Sequence, residues 1–253
     1  MARHLSFRSG NPALNRNTFK GFSTERSSGP IFKDNVMTIE GTVNKTALSL
    51  LLLMFSGYYA YSSFMGSYIW IGFGLGIVAF VVTFLKKELA PITTPIYSLC
   101  QGIVLGGISY MYAQQFDGIV FNAVCLTAFI LLSLLFAYKS RIIKATDNLK
   151  LGIFAATGGI ALFYIIGIIG LFLGFELPFL NPTDGSITSI LISLFIVVIA
   201  SLNLVLDFDF IEEGSENGAP KYMEWYAAFG LMVTLVWLYL EILRLLAKIN
   251  SRD

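Results

Sequence analysis

Seven stretches of the chain are apolar at nearly every position, with polar residues gathered between them. They run from about 46–64, 67–85, 96–114, 119–138, 151–174, 187–211 and 222–246. A helix needs roughly 20 residues to cross a ~30 Å hydrocarbon core, so the pattern predicts an all-α membrane protein with seven transmembrane helices. All seven prolines (Pro12, Pro30, Pro91, Pro95, Pro178, Pro182 and Pro220) fall outside these stretches, as expected of residues that mark helix boundaries. No connection exceeds about fifteen residues, so no extramembrane catalytic domain is expected between the helices. Residues 1–44 read as a flexible tail, because they offer little apolar surface to bury. The tail lacks the apolar core of a signal peptide and is expected to stay attached. Residues 45–249 form the seven-helix domain and 250–253 a short C-terminal tail.

Composition agrees with this setting: 56% of the 253 residues are hydrophobic, 13% are charged, and the mean hydropathy is +0.73. The distribution of charge adds an orientation. The tail and the start of the first helix hold Arg3, Arg8, Arg16, Lys20, Arg26, Lys33 and Lys45. The second connection holds Lys86 and Lys87, the fourth Lys139, Arg141, Lys144 and Lys150, and the sixth Lys221. The first, third and fifth connections hold none, which places the N-terminus in the cytoplasm by the positive-inside rule. Arg244, Lys248 and Arg252 run against it. Either the seventh segment spans and carries a basic end outward, or it re-enters. A full span is the expectation adopted.

Candidate chemistry is sparse. Cys100 and Cys125 lie in apolar stretches, where cysteine acts as a small hydrophobe, and neither a disulfide framework nor metal spacing is present. The sole histidine, His4, is in the tail, which removes a His-dependent serine or zinc site from the membrane. No enzyme activity, cofactor or nucleic-acid partner is expected. Gly72 with Gly76, and Gly102 with Gly106, read as small-xxx-small contacts between helices.

The acids are more informative. At 100° per residue, Asp207 and Asp209 point to opposite faces and are no catalytic pair. Asp209 shares its face with Glu212 and Glu213 beside Gly214, read as a helix end, so these acids form a solvated rim. Asp207 shares its face with Asn203, Ala200, Ser193 and Ser189, about six residues or ~9 Å inside that end. Intramembrane acids mark ion or proton pathways; the structural alternative is a hydrogen bond to Asn203 or to a neighbouring helix. On the seventh segment Ala227, Thr234, Glu241 and Lys248 recur every seven residues, with Gly230 and Arg244 near the same stripe, which suits a helix surrounded by others. Glu241 precedes Arg244 by three residues, a spacing for a local ion pair.

The segments "SGNPAL", "MTIEGTVNKT", "TTPIYSLCQGIVLGGIS" and above all "LNLVLDFDFIEEGSENGAPKYMEWYAAFGLMVTLVWLYLEILRLLAKI" resemble the bacterial YccA-like branch of the Bax inhibitor-1 family over essentially the whole chain. The resemblance implies six helices arranged around a central seventh, residence in the bacterial inner membrane, and a pH-sensitive calcium leak. It also implies an aspartate near the end of the sixth helix paired with one in the seventh. Asp207 matches the first. The second position falls at or near Thr234, which cannot ionise. Glu241 shares the face of Thr234 but is ~10 Å further along, and Glu224 is nearer the depth of Asp207 but turned roughly 80° away. The candidate pH sensor and ion pathway therefore comprises Asp207, Asn203, Thr234, Glu241, Glu224 and Arg244, with calcium or another cation as cargo and the lipid bilayer as surroundings. An alternative implied by the same resemblance is a regulatory or adaptor protein acting on an FtsH-type membrane protease through the tail. An intramembrane aspartyl protease is disfavoured, because it needs two facing aspartates that share a proton, and the seventh segment offers only "AFGLMVT".

Overall fold

A computed structural model describes residues 35–63, 68–174 and 180–252. Among them are seven α-helices: α1 (Ile39–Ser62), α2 (Ile69–Leu85), α3 (Ala90–Ala113), α4 (Ile119–Lys139), α5 (Asp147–Leu173), α6 (Ile187–Glu216) and α7 (Met223–Asn250). A 3-10 turn, Lys87–Leu89, leads into α3. Side-chain caps open three of them: the Thr38 hydroxyl accepts from Gly41 N–H, Thr146 from Leu149 and Ser186 from Ser189, each satisfying a donor that a helix start leaves open. The seven apolar stretches thus become seven helices. Five of them, α3 with its leading turn and α4 to α7, are long and apolar enough to cross a membrane. The 17-residue α2 is apolar but shorter, and α1 carries Thr42, Asn44, Lys45 and Thr46 in its first half.

Several boundaries differ from the sequence expectation. Helix α1 begins at Ile39 rather than near 45, and the residues before it are packed. Met37 is buried, its N–H bonds Ala219 O, and Val36 bridges Pro220. The expected tail otherwise lies outside the described residues, as do His4, Pro12, Pro30 and Pro178. Pro95 sits inside α3 instead of before it. It is only the sixth residue of that helix, so it removes a single hydrogen bond close to a start where the first four N–H groups lack helical partners anyway. Gly214 does not end α6. The helix runs on to Glu216, and Gly218, at φ 64°, takes the left-handed position. Ala219 N–H bonds Gly214 O and Gly218 N–H bonds Ser215 O, the paired closure of a Schellman motif.

Helix α7 is buried along its length. Helices α1, α3, α4 and α6 pack on it directly. From α2, Phe80 meets Phe229 with ring centroids 5.5 Å apart, and from α5 the Tyr164 hydroxyl donates to Glu241 at 2.5 Å. Small residues allow the closest approaches, as the glycine spacing predicts. A Cβ on Gly106 would lie 2.9 Å from the Gly57 carbonyl carbon, and one on Gly102 would lie 3.0 Å from Gly57 N, so α1 and α3 meet backbone to backbone. Gly72 and Gly76 bring α2 against Cys100 and Gln101 of α3 in the same way. Large side chains such as Phe55, Trp70, Phe121, Phe136 and Phe172 cover the outside, as befits a surface in lipid.

The helices alternate in direction. The start of α1 meets the start of α7 through Lys45 and Glu224. Lys87 lies over the Tyr226 ring, while Tyr138 and Lys150 reach Glu212 and Asp209 near the end of α6. The basic connections therefore share one end of the bundle. At the other end the start of α6 meets the end of α7, where a Cβ on Gly185 would lie 3.1 Å from Arg252 Cα.

Candidate functional site

Asp207 has no solvent exposure and lies nine residues inside the end of α6, ~13 Å along the axis. That is deeper than the sequence reading placed it, because α6 continues past Gly214. One turn away, Asn203 Nδ2 donates to Thr157 Oγ1 of α5 and to Ile199 O, both at 2.9 Å. Its Oδ1 is buried without a hydrogen-bond partner among the described residues. On α7, Thr234 is 3% exposed and its hydroxyl donates back to Gly230 O at 3.4 Å. The register of α6 against α7 is fixed by Lys248 Nζ, which donates to Ser193 Oγ at 2.8 Å. Asp207 follows Ser193 by fourteen residues and Thr234 precedes Lys248 by fourteen, so on antiparallel helices the two reach the same depth, ~21 Å from that bond.

Glu241 and Arg244 form the expected ion pair at 3.0 Å. Tyr164 of α5 and Trp237 Nε1 also donate to Glu241 Oε1, and Arg244 donates to the Tyr164 hydroxyl. Lys248 is fully buried between Ser193 and the Ser189 carbonyl. Just outside, Asp184 is held below the usual carboxylate range by the Ser186 backbone N–H, with the Ser186 hydroxyl and the Lys248 charge adding to it. Arg244 and Lys248 are thus engaged inside the bundle. They are not loop charges, which removes the main conflict in the orientation argument.

Glu224 has a different place. Its carboxylate is fully buried at the start of α1, accepting from Thr38 N–H and Thr38 Oγ1 at 2.9 Å each and pairing with Lys45 and with Lys221 at 3.0 Å. Acids are favoured at helix N-termini by the exposed N–H groups and the helix dipole. It therefore fastens α1 to α7 at the basic end, away from Asp207. The acidic rim is likewise more than solvated: Asp209 pairs with Lys150 of α5, and Glu212 accepts from Tyr138 of α4.

Three bonded polar groups thus lie along α5, α6 and α7, Asn203 with Thr157, Glu241 with Tyr164 and Arg244, and Lys248 with Ser193, and Asp207 is one turn from the first of them. Thr157 and Tyr164 escaped the sequence reading; their signal was a seven-residue spacing, hence one face, inside an apolar stretch. Among the described residues no three His, Cys, Asp or Glu side chains cluster to hold a metal ion.

A family model described as "Bax inhibitor 1 like" matches residues 11–251, which takes in all seven helices. Comparison with curated proteins finds no match, and comparison with solved structures finds none either.

Proposed function

The chain belongs to the Bax inhibitor 1 like family, and on that premise we propose that it is a cation leak pathway, with calcium as the leading cargo and Asp207 as the group whose protonation gates it. The observation that carries the proposal is Asp207 itself, without solvent exposure deep in α6. An ionisable side chain so placed is costly and marks an ion or proton route by default. It sits at the depth of Thr234, where α6 and α7 pack, and buried polar groups recur from there toward Lys248 and Asp184.

A proton added to Asp207 removes one negative charge from the α6–α7 contact and turns an acceptor into a donor, so the contact must rearrange. Toward the basic end the neighbouring charges are the Lys150–Asp209 pair and Glu212; toward the other end they are Glu241, Arg244 and Lys248. The same proposal sets the chain in a bacterial inner membrane, with the basic connections in the cytoplasm.

Calcium entry into liposomes containing the purified protein, followed with a trapped indicator from mildly acidic to neutral pH, is the test. Wild type should conduct with a sigmoid pH profile, and Asp207→Asn should conduct without one. Thr234→Asp should move the midpoint to higher pH, because two carboxylates at one depth tend to share a proton. A wild-type profile that persists in Asp207→Asn removes Asp207 as the sensor. Silence at every pH, together with capture of an FtsH-type protease, replaces the leak with the adaptor role.

A further inference from the structure

Helices α1 and α4 barely touch each other, although both pack on α3 and α7. Between them lies a cavity of about 660 Å³, open to the outside of the bundle. Its floor is Leu105 and Ser109 of α3 with Met232, Leu235, Val236 and Tyr239 of α7. Here α7 is reached only through the groove: Leu235, Val236 and Tyr239 keep slight exposure and Met232 lies at its closed bottom. Gly57, Gly106 and Ala128 make the room.

Two dimensions identify what fits. Along α1 the walls run from Leu50 to Tyr61, and along α4 from Val120 to Leu131, which is ~16 Å in each case. That is about half of a ~30 Å hydrocarbon core, or one leaflet. The cavity starts at the bundle end bearing Ala113 and Gly118 and stops near the middle. The lining has no charged side chain; its hydroxyls are Tyr58, Tyr61, Ser109 and Tyr239 toward the outer end, where tyrosine marks the membrane–water boundary, and Thr127 further in, which donates to Ala123 O of its own helix at 2.8 Å. Ser109 and Tyr239 already bond each other at 2.6 Å. Phe55 and Phe129 are exposed on the two wall helices, α1 and α4, but do not line the groove.

We propose that this groove binds one acyl chain of a membrane lipid, entering from the leaflet at the Gly118 end, with its terminal methyl against Leu50, Leu131 and Met232. Recognition is of the chain and its length, with the headgroup left at the boundary. The bound chain replaces a protein neighbour for α7 beside Thr234.

The test uses the full chain in nanodiscs doped with two phosphatidylcholines, one carrying a photoactivatable diazirine at the end of an acyl chain and one near its carbonyl. Adducts are mapped by mass spectrometry. The terminal probe should label Met232 and Leu235 of α7, and the carbonyl-proximal probe should label near Tyr61 and Phe121. Val124→Trp, which fills the groove, should lower labelling of α7 about tenfold, equivalent to ~1.4 kcal/mol, whereas Phe129→Trp on the outer face should leave it unchanged. Wild-type adducts confined to outward side chains such as Phe55 and Phe129 overturn the proposal, as does labelling of α7 by both probes at the same positions. The wild-type map decides this even if Val124→Trp fails to fold.

Discussion

Gly41 shows how a single residue sets the basic end of the bundle. Its missing side chain is the seat of the Glu224 carboxylate, and a Cβ there would overlap the carboxylate itself. Gly41→Ala should therefore destabilise by about 1–3 kcal/mol through overpacking, read as a lower thermal midpoint in detergent. At the other end, Glu241→Gln leaves Arg244 largely inside the bundle without its counter-charge, a loss of about 3 kcal/mol for a buried pair. Replacing both as Glu241→Leu with Arg244→Met should cost less than the single change, because no charge is stranded. Asp184 gives the acid-side expectation. Its folded pKa is lowered, so its contribution is present above its unfolded value of ~3.9 and lost as pH falls through the lower folded value. Asp184→Asn should flatten that part of the acid-unfolding profile while keeping an acceptor for Ser186 N–H. The Glu241–Arg244 pair was legible because its partners are three residues apart on one helix. Tyr164, which completes the network from 77 positions away, was not, since only tertiary packing brings α5 there.

Between helices, the decisive contacts are made by absent side chains. Gly102 and Gly106 sit where α1 and α3 meet, with Gly57 opposite, whereas a Cβ on Gly74 of α2 would meet nothing within 4 Å. Gly106→Ala should thus separate α1 from α3 and lower stability by about 1–3 kcal/mol. Gly74→Ala should be neutral or slightly stabilising, since alanine favours the helix by up to ~1 kcal/mol. A thermal-shift comparison of the two distinguishes packing from propensity. The four-residue spacing of these glycines announced such contacts without naming the partner helix. The end of α6 was less legible: Gly214 and Gly218 both follow an acidic run, and either can stop a helix. What separates them is that Gly214 is buried in packing while Gly218 takes the positive φ, a distinction made by the tertiary fold. The beginning of α1 was obscured for a related reason. Thr38 to Lys45 are too polar to resemble a membrane helix, and Thr38 and Lys45 owe their place to Glu224, 179 to 186 positions distant.

Over the whole bundle, the number of helices and their alternation followed from apolar length, because hydrocarbon demands a closed backbone hydrogen-bond pattern. Orientation was left divided by three basic residues near the C-terminus, and the fold indicates how they should be weighed. Arg244 is paired with Glu241 and Lys248 is buried among Ser189 and Ser193, so both belong to the helix interior, and Arg252 alone stands as a terminal charge. The other basic residues of the described connections, including Lys86, Lys87, Lys139, Arg141, Lys144 and Lys221, gather at the opposite end. Helix α7 is unbroken over 28 residues, ~42 Å, which is more than a membrane core requires, so a re-entrant path is not needed. Accessibility tags inserted near Lys144 and before Val36 should therefore report one compartment, the cytoplasm. Tags near Asp184 and after Arg252 should report the other. The pairing of the last two is the sharper expectation, since Gly185 packs against Arg252. A C-terminal tag that shares the compartment of Lys144 would mean that α7 does not cross, and would place Lys248 and Arg244 back among the charges that set orientation.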